Sequence, residues 1–532
     1  MKNNRLINNL LSNIGLKISY IYVGLPMFLF FTFWCKWYVA IIGDSLMIYA
    51  YYNLLRDAQG YWKSQKDLNC IKVFVSALLI ILFWVFLSGI GGFTYQNTDQ
   101  PYRNTIFEIL VNYDWPVTKQ ITMDNRFEIR GLDYYIGFWL PCAALGKILG
   151  LRAGVILLYL WTVLGIFCFF YLTCLLRKKC SLWPLLLFIF FSGLDIVGLL
   201  VKNGNFAGIT LQSHIEWWVG RYQFSSFTTQ LFWVFNQAIP AWIIVMLLLI
   251  QKNNRQMIFL LSLAMLSSTF PFVGMIPFTI YFLLKNTTGI KDVKQWIKKF
   301  AKDTFTVENV LAAEVIAFTC LFYLTANSSV EYNNMISSQN ETQISENVEG
   351  AETQFETSAS DYVGNEMNEI LYKQEKMGAS LLIKILFLFF EVGIYILIIY
   401  KFNEDKIVLI LALITSVLCL EITVGYGIDF CMRASIPLLV IMYVCSIFAI
   451  DNMVVQKKKF YLLCFLLIFT IGAFTPLFEM NRSIQKTITW SEDKNEIGDV
   501  CVSVDEIMTA GNFSSKIKGL YWNYLAKDHD IR

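Results

Sequence analysis

Again and again along this chain, apolar residues run almost without charge for close to twenty positions. About twenty such residues in a helix span the roughly 30 Å hydrocarbon core of a bilayer. Of 532 residues, 56% are apolar and only 16% charged, where a soluble domain carries about a quarter charged. A soluble enzyme, a secreted disulfide scaffold and a disordered regulator are thereby excluded. The 43 Lys and Arg nearly balance the 40 Asp and Glu, so no bulk attraction to nucleic acid is expected. Most cysteines, among them Cys35, Cys142, Cys168, Cys174, Cys320, Cys445 and Cys464, lie inside apolar runs as small hydrophobes. No CxxC spacing and only two histidines, His214 and His529, argue against a metal centre built on His or Cys. The first run follows a weakly basic start without a small-residue cleavage site, so it reads as a retained span.

The runs predict an all-α polytopic membrane protein with about thirteen transmembrane helices. They lie near 18–34, 37–55, 71–91, 153–176, 182–201, 229–250, 256–268, 269–284, 308–325, 379–400, 406–424, 434–450 and 459–477. Lys and Arg collect at Arg177–Lys179, Lys252–Arg255, Lys285–Lys302, Lys401–Lys406 and Lys457–Lys459, as cytoplasmic loops do. If all five are cytoplasmic, the extra apolar stretch 134–150 is a re-entrant or interfacial helix dipping in from the outer face. A full crossing there, with one local breach of the charge rule, is the alternative. The N-terminus is then inside and the C-terminal tail outside.

The expected divisions follow. Residues 1–70 form a cytoplasmic start and a helical hairpin, and 71–325 a membrane core with the first outer loop at 92–133. Residues 326–378, acidic and rich in Ser, Thr, Asn and Glu, form a flexible outer loop carrying the sequons at Asn327 and Asn340. Residues 379–477 are the last membrane helices, and 478–532 a small structured outer tail. Lys285–Lys302, with Trp296, Ile297 and Phe300 at helical spacing, reads as a basic amphipathic helix on the inner leaflet. No internal repeat of the inverted-transporter kind stands out.

Ionisable groups cluster at the outer ends of spans. The first outer loop holds Asp99, Arg103 and Asn104; Asp195 sits inside an apolar run; and the second outer loop holds His214, Glu216, Trp217 and Arg221. The next span carries Asn236 and Gln237, and Asp429 with Arg433 stands at the mouth of two late spans. Each has an ordinary explanation: a solvated acid, an i,i+4 pair at a helix start, an interfacial aromatic belt, or amides bonding neighbouring helices. Asp195 is the costliest, about 2.5–3.5 kcal/mol if unpaired within a span, so it should face water or own a partner. Taken together, acids and arginines on one side suit transfer from a lipid-linked phosphosugar. A carboxylate takes the proton of an acceptor hydroxyl, and arginine forks bind the leaving phosphate. Asp99 is the candidate base, with Arg103, Arg221 or Arg433 on phosphate. Two acids could alternatively hold a divalent cation, Mg or Mn, through oxygen ligands.

Phe93–Asp99 followed by Arg103–Asn104, an outer loop with an early aspartate, resembles the GT-C superfamily of polyprenyl-phosphate-dependent membrane glycosyltransferases. Trp115–Pro116–Val117, Leu132–Tyr135, Ser192–Gly198, Phe232–Gln237 and Asp429–Arg433 extend the likeness from about residue 70 to the end. The resemblance implies a bacterial plasma-membrane enzyme of cell-envelope polysaccharide biosynthesis, with Asp99 catalytic. It would take a polyprenyl-phosphate sugar donor from the membrane lipid and a glycan or lipid acceptor. The hairpin 18–55 before the motif loop and the short outer tail depart from the pattern. A transporter or flippase, and a polysaccharide polymerase, are the rival readings.

Overall fold

The computed structural model describes residues 2–61, 71–123, 126–206, 209–211, 213–220, 222–289, 292–324, 380–422, 424, 429–492 and 500–528. Arg221, His529, Tyr426–Ile428 and the loop 326–378 with its sequons therefore lie outside the described residues. The protein is mostly helical (74%). Its first half comprises α1 Lys2–Trp34, α2 Trp37–Tyr61, α3 Ile71–Phe86, α4 Gln100–Asn112, α5 Leu140–Leu149, α6 Leu151–Arg177, α7 Trp183–Phe190, α8 Asp195–Asn203 and α9 Phe227–Ile250. There follow α10 Met257–Ser262, α11 Thr269–Lys285, α12 Val293–Thr304 and α13 Val307–Leu324. The last part holds α14 Leu381–Phe402, α15 Lys406–Glu421, α16 Asp429–Ala434, α17 Ile436–Val455, α18 Lys459–Gly472, α19 Phe474–Glu492 and α20 Val504–Thr509.

Among the described residues, seven helices are long and apolar enough to cross a membrane, or eight if α12 and α13, which meet at 61°, form one bent span. The predicted thirteen is an overcount. The run 256–268 contains only the six-residue α10 before the chain turns. The run 459–477 does not stop there but continues as helix to Thr489. Apolar composition reports burial against protein and against lipid alike, so short core helices pass for spans. Many large side chains project outward, Trp37, Leu79, Leu397 and Leu463 among them, as on a membrane-embedded surface. Helix α9 is the central post, with 89% of its apolar window buried.

Contacts sort the polar residues to two ends of the bundle. At one, Arg177 binds Asp451 through two 3.0 Å bonds, and Asn452 Nδ2 donates to Phe402 O. There too Lys285 pairs with Asp405, and Asn254 Nδ2 donates to Leu283 O and Thr304 Oγ1. The five basic clusters thus gather at this end, with α12 beside them. Segment 134–150 belongs to the opposite end at both its limits. Asp133 N–H donates to Phe513 O, and Lys147 Nζ bonds the carbonyl of Tyr113. At ten residues α5 is about 15 Å long, half a bilayer core, and Gly150 turns the chain at φ 92° into α6.

The opposite end also carries a sheet that an all-α reading did not include. Strands β1 Thr118–Met123 and β2 Arg126–Leu132 form an antiparallel hairpin with Thr118 opposite Gly131. Strand β3 Ser514–Lys516 adds antiparallel to β2, Leu132 opposite Ser514. Arg130 is buried and bonds Ser514 O through Nη2 at 2.8 Å. The first loop and the described part of the C-terminal segment, 500–528, therefore fold together: Thr105 donates to Val502 O and Lys119 pairs with Asp505.

Candidate functional site

Asp99 stands immediately before α4, where Pro101 in the first turn suits the helix start. Its backbone N–H is taken by Asn97 Oδ1, leaving the carboxylate free of a capping role. One helical turn on, Arg103 Nη2 donates to Asp99 Oδ2 at 2.9 Å. Arg103 is buried while the Asp99 side chain is about half exposed (51%). The guanidinium lies 5.9 Å from the Phe235 ring, and its Nε and Nη1 have no protein acceptor. Phe235 follows a kink in α9 at Val234, and at that kink Asn97 Nδ2 donates to Phe232 O at 2.7 Å.

Asp429 and Arg433 form a second pair of the same build, 3.2 Å apart across one turn of α16. Helix α16 seats on α11 where Gly274 leaves room: a Cβ there would come within 2.0 Å of Ala434 O. The two pairs lie within electrostatic range of each other. Asp429 interacts electrostatically with Asp99 and Arg103, and Arg433 with Asp99. Tyr134, just before the short helix α5, lies within range of all four charges; it stacks on Trp139 and meets Phe513 edge-on. Residues 330 positions apart thus form one charged cluster at the end opposite the basic loops.

Beside it lies an aromatic wall. His214 stacks on Trp217, ring centres 4.4 Å apart, and meets Trp233 edge-on at 4.7 Å. Trp233 Nε1 donates to Glu479, which binds Arg482 at 2.8 Å. Burial, and then the charge of Arg482, push His214 down to about 4, against the opposing pull of Asp99. Asn104 is tied to the tail through Val500 O. A cleft of about 370 Å³ opens along the residues just before Asp99, lined by Tyr95, Gln96, Asn97, Thr98, Lys486 and Thr489. A separate narrow crevice runs from Gln100, Arg103 and Asn104 to Leu151, Val155 and Leu158 of α6.

Other expected site residues fall elsewhere. Asn236 and Gln237 are buried past the α9 kink, and neither amide bonds to the charged pairs. Asp195 belongs to a second cluster with Ser192, Thr475 and Glu391. Glu216 accepts from Ser226 N, Thr229 Oγ1 and Gln223 Nε2; burial, then the Asp195 charge, push it up to about 8. Asp99 and Asp429, the acids available as oxygen ligands, are each paired to their own arginine. Among the described residues no three His, Cys, Asp or Glu side chains gather as a metal-holding group.

Several contributors escaped the sequence reading. Glu479, Arg482 and Lys486 fall at i, i+3 and i+7, one face of a helix, but lie past the presumed end of the last span. Glu391 is the only acid in the run 379–400, so the criterion that singles out Asp195 singles it out too. No family model, curated protein or solved structure matches the chain.

Proposed function

We propose that this protein is a GT-C-type glycosyltransferase of a bacterial plasma membrane, moving a sugar from a polyprenyl-phosphate donor to a cell-surface glycan or lipid. The observation that supports it is the meeting of the Asp99–Arg103 and Asp429–Arg433 pairs at the end opposite the basic loops. By the charge rule those loops face the cytoplasm, which puts the site and the C-terminal tail outside. In the reaction the acceptor oxygen bonds to the anomeric carbon and its proton passes to the Asp99 carboxylate. The bond from that carbon to the phosphate oxygen breaks, and the phosphate leaves with the electron pair. Arg103 and Arg433, each with an uncommitted Nε, are placed to meet that charge.

The test is transfer of labelled hexose from synthetic polyprenyl-phosphate donors by membranes containing the protein. A positioned general base contributes about 10²–10⁴ in rate, so Asp99→Asn should lose at least a hundredfold with unchanged expression. Full activity in that variant would move the base elsewhere. A transporter is the second reading, favoured by the buried acids Asp195 and Glu391 beside interrupted helices. It would give no transfer from any donor, but uptake into proteoliposomes that Asp99→Asn leaves intact.

A further inference from the structure

Three helix interruptions meet at the second acid cluster, which the transferase reading leaves unused. Helices α7 and α8 are the halves of one apolar span, unwound at 191–194. Helix α14 makes a π-helical turn at Phe389–Gly393. Helix α18 ends at Gly472 and α19 begins at Phe474. The pieces are laced together: Leu194 N–H donates to Phe390 O at 3.1 Å, Tyr395 OH to Ser192 O at 2.9 Å, and Thr475 Oγ1 to Asp195 Oδ2 at 3.0 Å. Only glycines fit at the contact points. A Cβ on Gly193 would lie 1.9 Å from Glu391 Oε2, and one on Gly472 would lie 2.7 Å from Ser192 O.

Asp195 and Glu391 are 1% and 2% exposed. Asp195 Oδ2 accepts from Ser192 and Thr475, and Glu391 Oε1 from Trp218 Nε1 at 3.4 Å. The remaining oxygens, Asp195 Oδ1 and Glu391 Oε2, have no N–H or O–H donor, although the two carboxyls lie within hydrogen-bonding reach of each other. Two carboxylates can bond only if one carries hydrogen, and two like charges repel strongly away from water. The titratable groups facing the pair are Glu216, Tyr395 and Cys431. Glu479 stands beyond Glu216 and is committed to Arg482.

We propose that Asp195 and Glu391 hold one proton between them, a buried proton-binding site that latches the three interrupted helices. With the proton in place, the O–H of one carboxyl donates to an oxygen of the other. Without it, two negative charges face each other in a dry joint. The joint then loosens at α8, which leads to the His214–Trp217 turn, and at α19, which carries Glu479, Arg482 and Lys486. The latch stands or falls independently of the transferase reading.

Infrared spectroscopy of the full chain in lipid at neutral pH reads the proton directly, as the C=O stretch of a protonated carboxyl that shifts in heavy water. The band should persist in Glu216→Gln, and what persists should diminish when Asp195→Asn and Glu391→Gln, which are neutral and nearly isosteric, are added to that variant. Its absence from the wild type, or an undiminished band in the triple variant, overturns the proposal. The single variants offer a second readout, because an amide N–H replaces the shared proton. Made in the Glu216→Gln background, which removes that residue's own alkaline titration, each should lose the remaining alkaline fall in unfolding resistance, and an unchanged fall in both would equally overturn the latch.

Discussion

Arg482→Met probes how α19 is bound into the site end. Arg482 is about nine-tenths buried or more, chelates Glu479 through Nη1 at 2.8 Å to both oxygens, and donates to the carbonyls of Leu211 and Ser213. Removing one member of a buried pair costs about 3–5 kcal/mol, mostly because the other charge is stranded. Glu479→Gln combined with Arg482→Met strands no charge, only the Leu211 and Ser213 carbonyls losing a donor, and should recover most of that loss. The same change reaches His214, which Arg482 helps push down to about 4. Its folded pKa lies below its ordinary 6.5, so the stability it contributes is present above 6.5 and lost as pH falls toward 4. Without Arg482 the His214 midpoint should rise while staying under 6.5, since burial remains the larger cause, and the window of acid loss should narrow. With only two histidines in the chain, imidazole NMR resolves this. Unfolding resistance in mixed micelles gives the energy. An unmoved His214 midpoint, or a double variant as weak as the single, would refute the arrangement of α19 against the His214–Trp233 wall.

Two further outcomes are expected. Glu216 sits near 8 in the folded protein against an ordinary 4.5, so stability should fall as pH rises from about 4.5 through 8. Glu216→Gln should flatten that slope, and an unaltered slope assigns it to another group. Gly193→Ala forces a Cβ to within 1.9 Å of Glu391 Oε2 and should cost about 1–3 kcal/mol or more as overpacking. Wild-type thermal resistance would show that the joint is looser than its contacts.

The parts of the site legible in the sequence were the local ones. Asp99 with Arg103, and Asp429 with Arg433, lie four residues apart, so helical spacing alone brings each acid to its arginine. That the two pairs come within range of each other and of Tyr134 depends on three segments of the bundle, and no local pattern encodes it. The sheet was hidden for the same reason, since β3 joins β2 from nearly four hundred residues away. The segment 134–150 holds a helix of only ten residues, Leu140–Leu149, and its shortness is set by Gly150, where the chain turns at φ 92°. The span count failed where α10, buried against α13, is as apolar as a lipid-facing helix.

The sequence by itself determined that this is a helical membrane-embedded protein with its basic loops at one end. Apolar length and positive charge act through transfer energies that sum residue by residue, whatever the neighbours. Only the tertiary structure decided which charges from separate segments come together, Asp195 with Glu391, Arg177 with Asp451, Asp99 with Arg433. The energy of a charge away from water is set by the partners within a few ångströms, and those partners come from distant parts of the chain.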